Sequence, residues 1–167
     1  MKDIYLKIGQ PDVKGESLDK DHADWLEIDS WVHEIRQPKS STASATGGNT
    51  AERCEHDAME FTKAMDVTSP QLYEAASSGT TFKEITIEFF KRDGEGNRVK
   101  YLAIDLKNAV VASIAPKVVA GQEPMETFKL KYAAVQWRYT QKASGGGQQG
   151  NTQGAWSLTK NDKSFAV

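Results

Sequence analysis

Cysteine is nearly absent from this 167-residue chain, which contains Cys54 alone. A single thiol cannot close an internal disulfide, and it cannot hold a zinc ion without other ligands. A fold held together by disulfides is therefore excluded. We interpret Cys54 as a small, partly apolar residue that fills space.

Long apolar runs are also missing. No stretch approaches the roughly 18 apolar residues that a membrane-spanning helix needs, and the mean hydropathy is −0.58. The first eight residues, MKDIYLKI, contain no basic segment followed by an apolar one, which excludes an ordinary signal peptide. We expect a water-soluble protein with no membrane insertion, made in the cytoplasm and exported only by another route.

Neither sign of charge dominates. The chain has 21 basic and 23 acidic residues, a net charge of −2, and both signs are interspersed. The basic stripe typical of nucleic-acid-binding proteins is missing. The sequence therefore predicts no nucleic-acid partner.

Catalytic motifs are absent as well, including glycine-rich phosphate loops, the zinc motif HExxH and the nucleophile motif GxSxG. Glu55, His56 and Asp57 are residue types that bind metals, but neighbouring side chains on a strand point to opposite faces. We interpret them as a surface cluster. The carboxylates are dispersed and indicate no acid/base pair. We predict no catalytic residue, no metal ligand, no cofactor and no enzyme activity.

What the chain does contain is alternation of apolar and polar residues, which predicts β-strands. The first strand places Ile4, Leu6 and Ile8 on one face. Further strands are predicted at 26–35, 56–66, 82–91, 98–114, 125–141 and 155–165. In the segment 125–141 the apolar parity changes after Tyr132, which predicts a bulge near 133–134.

One helix is predicted at 69–79. Ser69 can cap it, Pro70 suits the first helical position, and Gly79 can end it. Leu72, Tyr73 and Ala76 would form its packing face. The whole chain, 1–167, is predicted to be one mainly β domain, a sandwich or barrel with one short helix.

Two segments have no hydrophobic periodicity. Residues 38–53 (PKSSTASATGGNTAER) predict a long exposed loop, and loops of this length are often functional. Residues 143–154 (ASGGGQQGNTQG) predict a flexible connector before the last strand. Four tryptophans, at 25, 31, 137 and 156, have no basic groove beside them, so core or interface packing is favoured over stacking on bases or sugars.

Several segments, taken together and in order, resemble the haemolysin-coregulated protein (Hcp) family of the type VI secretion system. They cover almost the full chain: residues 4–9, 13–17, 19–23, 28–31, 37–38, 69–79, 101–113, 134–136 and the strand around Trp156. Each segment is short, and the specificity comes from their shared order.

The resemblance implies a small β-barrel of two sheets, with one short α-helix on the side and a long projecting loop. It further implies homohexameric rings that stack into a tube. A contractile sheath would propel this tube, and a valine-glycine-repeat spike would sit at its tip. Effector proteins would ride in the lumen. Export with the tube would need no signal peptide.

The resemblance also suggests residues for two surfaces. Val32 occupies the position of the family's cargo-contacting lumen residue, and Ser30 and Glu34 share its predicted face. The ring-stacking loop would comprise residues 38–53, including Pro38, Lys39, Ser40, Ser41, Thr42, Gly47, Gly48, Asn49 and Arg53. A secreted effector on the same scaffold and a carbohydrate-binding β-sandwich are the alternatives.

Overall fold

The computed structural model describes residues 2–38, 53–142 and 148–167. Within these ranges the chain forms eleven strands and one helix: β1 Ile4–Gly9, β2 Leu26–Ile28, β3 Ser30–Val32, β4 Ile35–Arg36, β5 Glu55–His56, β6 Met59–Ala64, α1 Ser69–Ser78, β7 Thr81–Arg92, β8 Arg98–Lys117, β9 Met125–Lys131, β10 Ala134–Lys142 and β11 Gln148–Ser157. The prediction of a mainly β fold with one short helix is confirmed.

Nine strands form one antiparallel sheet. Its main path runs β2-β1-β7-β8-β9-β6-β3, while β10 pairs with β8 and β11 pairs with β10. The strand β8 has 20 residues. Its first half lies between β7 and β10, and its second half pairs with β9. The remaining strands, β4 and β5, form a separate two-stranded sheet.

The sheet is not closed into the predicted barrel of two sheets, because the path of hydrogen-bonded strands is open at its ends. Its two end strands, β2 and β3, are separated in the chain by Asp29 alone. The Asp29 backbone NH donates to the Thr62 carbonyl at 2.8 Å, and β2 also lies against β6. The continuous segment from β2 to β3 therefore connects the two ends of a curled sheet, although no ladder of hydrogen bonds closes the sheet there.

The core lies inside this curl. Ile4 is half-buried, whereas Leu6 and Ile8 of β1 are buried as the alternation predicted. The other strands contribute the remaining buried side chains, among them Leu26, Ile28, Met59, Phe61, Ile85, Ile87, Phe89, Ile104, Leu106, Phe128, Leu130 and Val135. The Phe61 and Phe128 rings stack with centroids 5.1 Å apart, which joins β6 to β9.

Two predicted strands are divided. The segment 26–35 changes partner at Asp29, from β1 to β6, and so becomes β2, β3 and the start of β4. The segment 125–141 breaks after Lys131, where Ala133 NH donates to the Lys107 carbonyl at 2.9 Å. The change of apolar parity falls at this break between β9 and β10, and not at a bulge within one strand.

Residues 148–154 of the predicted connector are strand, and the last strand, predicted at 155–165, ends at Ser157. Residues from Gln148 onward form β11, which runs antiparallel to β10 with Gly154 opposite Trp137. A strand ladder uses backbone NH and carbonyl groups, which glycine and glutamine supply as well as apolar residues do. An uncharged edge strand therefore forms here without alternation. Residues 143–147 lie outside the described ranges.

The predicted helix is present as α1, and Gly79 ends it in a left-handed conformation with φ 69°. Its first cap differs from the prediction, because Thr68 is the N-cap and Ser69 is already helical. The Ser69 hydroxyl instead donates to Glu126 Oε1 at 2.6 Å. Leu72 is buried in the core as predicted, whereas Tyr73 and Ala76 are half-buried.

A fully buried ion pair lies beneath α1. Lys63 Nζ of β6 is 2.5 Å from Glu126 Oε1 of β9 and 2.9 Å from Asp66 Oδ1. The Tyr73 hydroxyl donates to Glu126 Oε2 at 2.6 Å. Burial, together with this hydrogen bond, raises the pKa of Tyr73 to about 12. The network joins two strands and the helix, and its Lys63 and Glu126 charges have no access to water.

We expect Lys63→Met to destabilise the protein by about 3–5 kcal/mol, because it leaves the Glu126 carboxylate buried without its counter-charge. The measurement is a urea unfolding curve. The matched control is Lys129→Met on β9, whose ammonium is 47% exposed and 3.5 Å from Glu60. This control should cost about 1 kcal/mol or less.

The double variant Lys63→Met, Glu126→Gln should recover part of the loss, because the fully buried carboxylate of Glu126 is then neutral. Asp66 also loses its ammonium partner, but it is 12% exposed and keeps its hydrogen bonds from Thr68. Equal destabilisation by the single and the double variant would show that the ion pair is not the cause.

Candidate assembly surfaces

The hairpin β4–β5 stands at the base of the predicted long loop. Arg36 binds Asp57 through two hydrogen bonds, Nη1 to Oδ2 at 2.8 Å and Nη2 to Oδ1 at 2.9 Å. Glu55 lies 3.3 Å and Glu34 3.5 Å from the same guanidinium. These carboxylates, Asp57 foremost, raise the pKa of Arg36. A forked, two-bond pairing of this kind holds its geometry better than a single contact.

A hydrogen-bonded chain of three rings lies behind this hairpin. His33 Nε2 is 3.1 Å from the Asp57 carbonyl and 3.0 Å from the Tyr132 hydroxyl. The same hydroxyl is 2.7 Å from His56 Nδ1. Because a carbonyl oxygen only accepts, His33 Nε2 carries a proton. The Tyr132 hydroxyl then donates to His56 Nδ1, which is unprotonated.

Both histidines in this chain favour the neutral form. Burial lowers the pKa of His33, although the Asp57 carbonyl and carboxylate oppose the change. Burial, with a smaller effect of the His33 charge, lowers the pKa of His56. Burial also raises the pKa of Tyr132. The three groups therefore form an uncharged connection between the hairpin and the β9–β10 junction.

A groove opens between this hairpin and the strands β10 and β11. Its volume is about 580 Å³. Among the described residues, its apolar walls come from Ile35, Cys54, Trp137, Ala155 and Trp156, and the polar lining comes from Gln37, His56, Gln153 and Lys163, with Gly154 between them. This described lining is mainly apolar and contains one cation, Lys163.

The face predicted to contact cargo is exposed to solvent. Ser30 and Val32 lie on β3, and Glu34 follows before β4. All three are exposed, and Val32 is 61% exposed. Trp31, between them, points the other way and packs edge-on against Phe89 with centroids 5.1 Å apart. Ser30 and Val32 therefore share one exposed face of β3, whereas Glu34 lies beyond the strand near Arg36. The role of all three in cargo contact stays a prediction.

The predicted stacking loop lies almost wholly outside the described residues. This applies to Lys39, Ser40, Ser41, Thr42, Gly47, Gly48 and Asn49. The two ends are described: Pro38 is half-buried, and Arg53 is exposed and donates to the Leu158 carbonyl. The stacking role of these residues also stays a prediction.

Neither a metal centre nor a spanning helix is found in the parts of the chain that the structure describes. No group of three or more His, Cys, Asp or Glu side chains there could hold a metal ion. In the same ranges, no helix is long and apolar enough to cross a membrane. Glu55 and Asp57 instead bind Arg36, and His56 binds Tyr132.

Comparison with known proteins decides the family. The model of the family described as "Type VI secretion system effector, Hcp" matches residues 5–139. The chain belongs to the Hcp family of type VI secretion proteins. The matched range begins in β1, includes α1 and ends within β10, so it includes the whole main path of the sheet.

Individual Hcp relatives agree with this assignment. The chain is 35% identical over 161 residues to "Protein hcp1" of Pseudomonas aeruginosa, covering 95% of this chain and 96% of that one. It is 22% identical over 142 residues to the "Major exported protein" of the same organism, covering 81% of this chain and 80% of that one. These proteins are what the chain is similar to.

Solved Hcp structures share the fold. One described as "Structure of a type six secretion system protein" has a TM-score of 0.87 at 25% identity, covering 98% of this chain and all of that one. Hcp1 from Salmonella typhimurium has a TM-score of 0.75 at 24% identity, covering 96% and 97%. Hcp is a family of secreted proteins and not a known enzyme family.

The hydrogen bonds that connect His33, Tyr132 and His56 were not predicted from the sequence. His33 and Tyr132 are 99 residues apart. The alternation places His33 on a mixed polar face and gives Tyr132 no partner. Since nothing local in either segment signals the contact, only tertiary structure reveals it.

The lowered pKa values of His33 and His56 make stability depend on pH. Unfolded histidine titrates near 6.5, so the unfolded chain binds more protons just below that pH. Stability is therefore fully present above pH 6.5 and falls as the pH falls toward the lowered pKa values. For each histidine, the upper limit of the loss in unfolding free energy is about 1.4 kcal/mol per pH unit. The actual loss is a fraction of this limit, because solvent reaches part of both rings.

The check is a pair of urea unfolding curves at pH 7.5 and pH 5.5 for the wild type and for His56→Gln. Glutamine can still accept the Tyr132 hydrogen bond but does not titrate. We expect the variant to lose less stability between the two pH values. Every other titrating group is common to both proteins, so identical pH dependence would refute a contribution from His56.

Proposed function

We propose that this chain is the structural subunit of a type VI secretion tube. Copies assemble into homohexameric rings, and the rings stack. A contractile sheath drives the tube outward behind a valine-glycine-repeat spike, with effector proteins in the lumen. The subunit leaves the cytoplasm with the tube and needs no signal peptide. It acts by assembly and carries out no chemical reaction.

The observation that carries the proposal, beside Hcp family membership, is the edge strand β11. Among the described residues, β10 is its only strand partner. Proteins that stay monomeric protect such edges with charged residues, especially lysine, or with proline. The ten residues of β11, QQGNTQGAWS, contain neither a charge nor a proline. Ser157 at the end of β11 forms a bridge with Asp162. The rest of this edge has no protecting charge or proline, which suits contact with another copy.

A second observation supports a lumen role for the exposed side chains of Ser30, Val32 and Glu34. An apolar side chain with two polar neighbours can contact varied protein cargo without holding one partner tightly. Val32 adds an apolar contact there, since most of its side chain is accessible. We assign cargo contact to these three residues on this basis.

Ring formation is tested by light scattering coupled to gel filtration at high micromolar concentration. We expect a single species with six times the 18.4 kDa mass of the chain. Negative-stain images of the same fraction should show annular particles. A chain that stays monomeric in both measurements contradicts the proposed function.

The stacking role of the loop is tested by deleting residues 40–52. Ring contacts do not require this segment in our proposal, so the deletion variant should still form hexamers by light scattering. Ring stacking should be lost, because the segment is proposed to reach the adjacent ring. Tubes counted in electron micrographs of concentrated protein provide the measurement, and tubes as frequent as in the wild type would refute this role.

A further inference from the structure

Leu18 exposes an apolar side chain almost completely, at 96%. Isolated apolar residues on a surface are ordinary. This one differs because its neighbours are immobilised: Ser17 is buried on one side and His22 on the other. A leucine this exposed, on a backbone held in place, is available for contact with another protein.

The segment that carries Leu18 is held by the backbone on one side. Ser17 NH donates to the Trp25 carbonyl at 3.2 Å, and Asp24 NH donates to the Ser17 carbonyl at 3.0 Å. Gly15 lies so close to Trp25 that a Cβ atom would be 2.3 Å from the Trp25 carbonyl oxygen. The segment therefore runs directly beside Trp25 and the start of β2.

Side chains hold the same segment from the other side. His22 binds Asp19 Oδ1 through Nδ1 and Glu88 Oε2 through Nε2, each at 2.7 Å. Arg98 also pairs with Asp19 and lies over the Tyr5 ring, 4.7 Å from its centroid. Binding through Leu18 would thus require little further ordering of the loop, and such preorganisation favours affinity.

Leu18 and the groove lie at opposite ends of one run of strands. The pairings connect β2, β1, β7, β8, β10 and β11 in that order, and Leu106 of β8 lies opposite both Ile85 and Val135. The Leu18 segment lies beside β2, whereas Gly154, Ala155 and Trp156 of β11 line the groove. Leu18 is 96% exposed and therefore does not occupy the groove of its own subunit.

The charges at the two ends are complementary. Residues 16–24 contain four carboxylates and one lysine. Asp21 and Asp24 are exposed there, whereas Lys163 is the one charged side chain among the described residues that line the groove. Complementary charges around an apolar contact fix its orientation and speed association.

We propose that Leu18 of one subunit inserts into the groove between β4–β5 and β10–β11 of the next copy of this chain. Two different patches then meet at each contact, which is the head-to-tail arrangement that a closed ring needs; a self-complementary contact would give only a dimer. This proposal rests on the proposed function and names the residues of the ring interface.

Cys54 makes the contact directly testable, because it lines the groove and is the only cysteine of the chain. Leu18→Cys places a second thiol on the proposed partner surface. A disulfide forms when the two Cα atoms are about 4.4–6.8 Å apart. After mild oxidation with diamide, we expect a ladder of covalent oligomers up to the hexamer on non-reducing gels.

Two controls separate this result from random oxidation. Val118→Cys keeps Cys54 and introduces a thiol at another exposed apolar site, 69% accessible, and it should give no ladder. The variant Leu18→Cys, Cys54→Ser mixed with wild type should give covalent dimers and nothing larger. Each of those two proteins offers only one half of the contact, so the dimer limit shows that the link joins different subunits head to tail.

A variant without cross-linking measures the contribution of Leu18. Leu18→Asp should weaken ring assembly at least about tenfold, as for a central interface residue. Its urea unfolding midpoint as a dissociated subunit should match that of the wild type, because the side chain is almost fully exposed in the subunit. Val118→Asp is the matched control and should assemble normally.

The outcomes distinguish the two proposals. Wild-type hexamers combined with no cross-link from Leu18→Cys and normal assembly of Leu18→Asp would overturn the Leu18 contact and leave the tube function standing. The groove would then have another occupant. A wild-type chain that forms no ring would overturn both.

Discussion

The ion pair between Lys63 and Glu126 is the interaction on which the rest of the subunit depends. The two residues lie opposite each other in the β6–β9 ladder, and both are buried. A shift of one residue would turn one of them to the other face of the sheet and leave a charge unpaired. The pair therefore selects the register of these strands, and through Ser69 and Tyr73 it also positions α1.

From this register the two candidate surfaces follow. β6 carries β3 on its free side, so Ser30 and Val32 are displayed on the outside of the sheet. The first residue of β6 follows the hairpin β4–β5 closely, where Arg36 and the ring chain of His33, Tyr132 and His56 hold the backbone. The groove is the space that remains between this hairpin and β10–β11. Its shape depends on the position of the hairpin, which the hydrogen bonds of His33, Tyr132 and His56 hold.

Sequence patterns predicted the strands best where burial is simple. The core-facing residues of β1 and β7 alternate with less buried ones from Leu6 to Ile8 and from Ile85 to Phe89, although Tyr5 is buried as well. The helix α1 has its proline and glycine at the ends. The patterns failed where a strand changes partner, as at Asp29 and after Lys131, because local alternation contains no information about which strand lies alongside. They also failed for β11, whose pairing uses backbone groups and leaves no trace in its side chains.

The sequence by itself determined the class of the protein: a mainly β chain with one helix, one cysteine and colinear Hcp-like segments. Tertiary structure alone decided that Lys63 meets Glu126, that Tyr132 bridges two histidines, and that Leu18 and the groove occupy opposite ends of one run of strands. The physical reason is distance along the chain. Periodicity reports the burial of neighbouring residues, whereas pairs separated by tens of residues meet only when the whole sheet has folded.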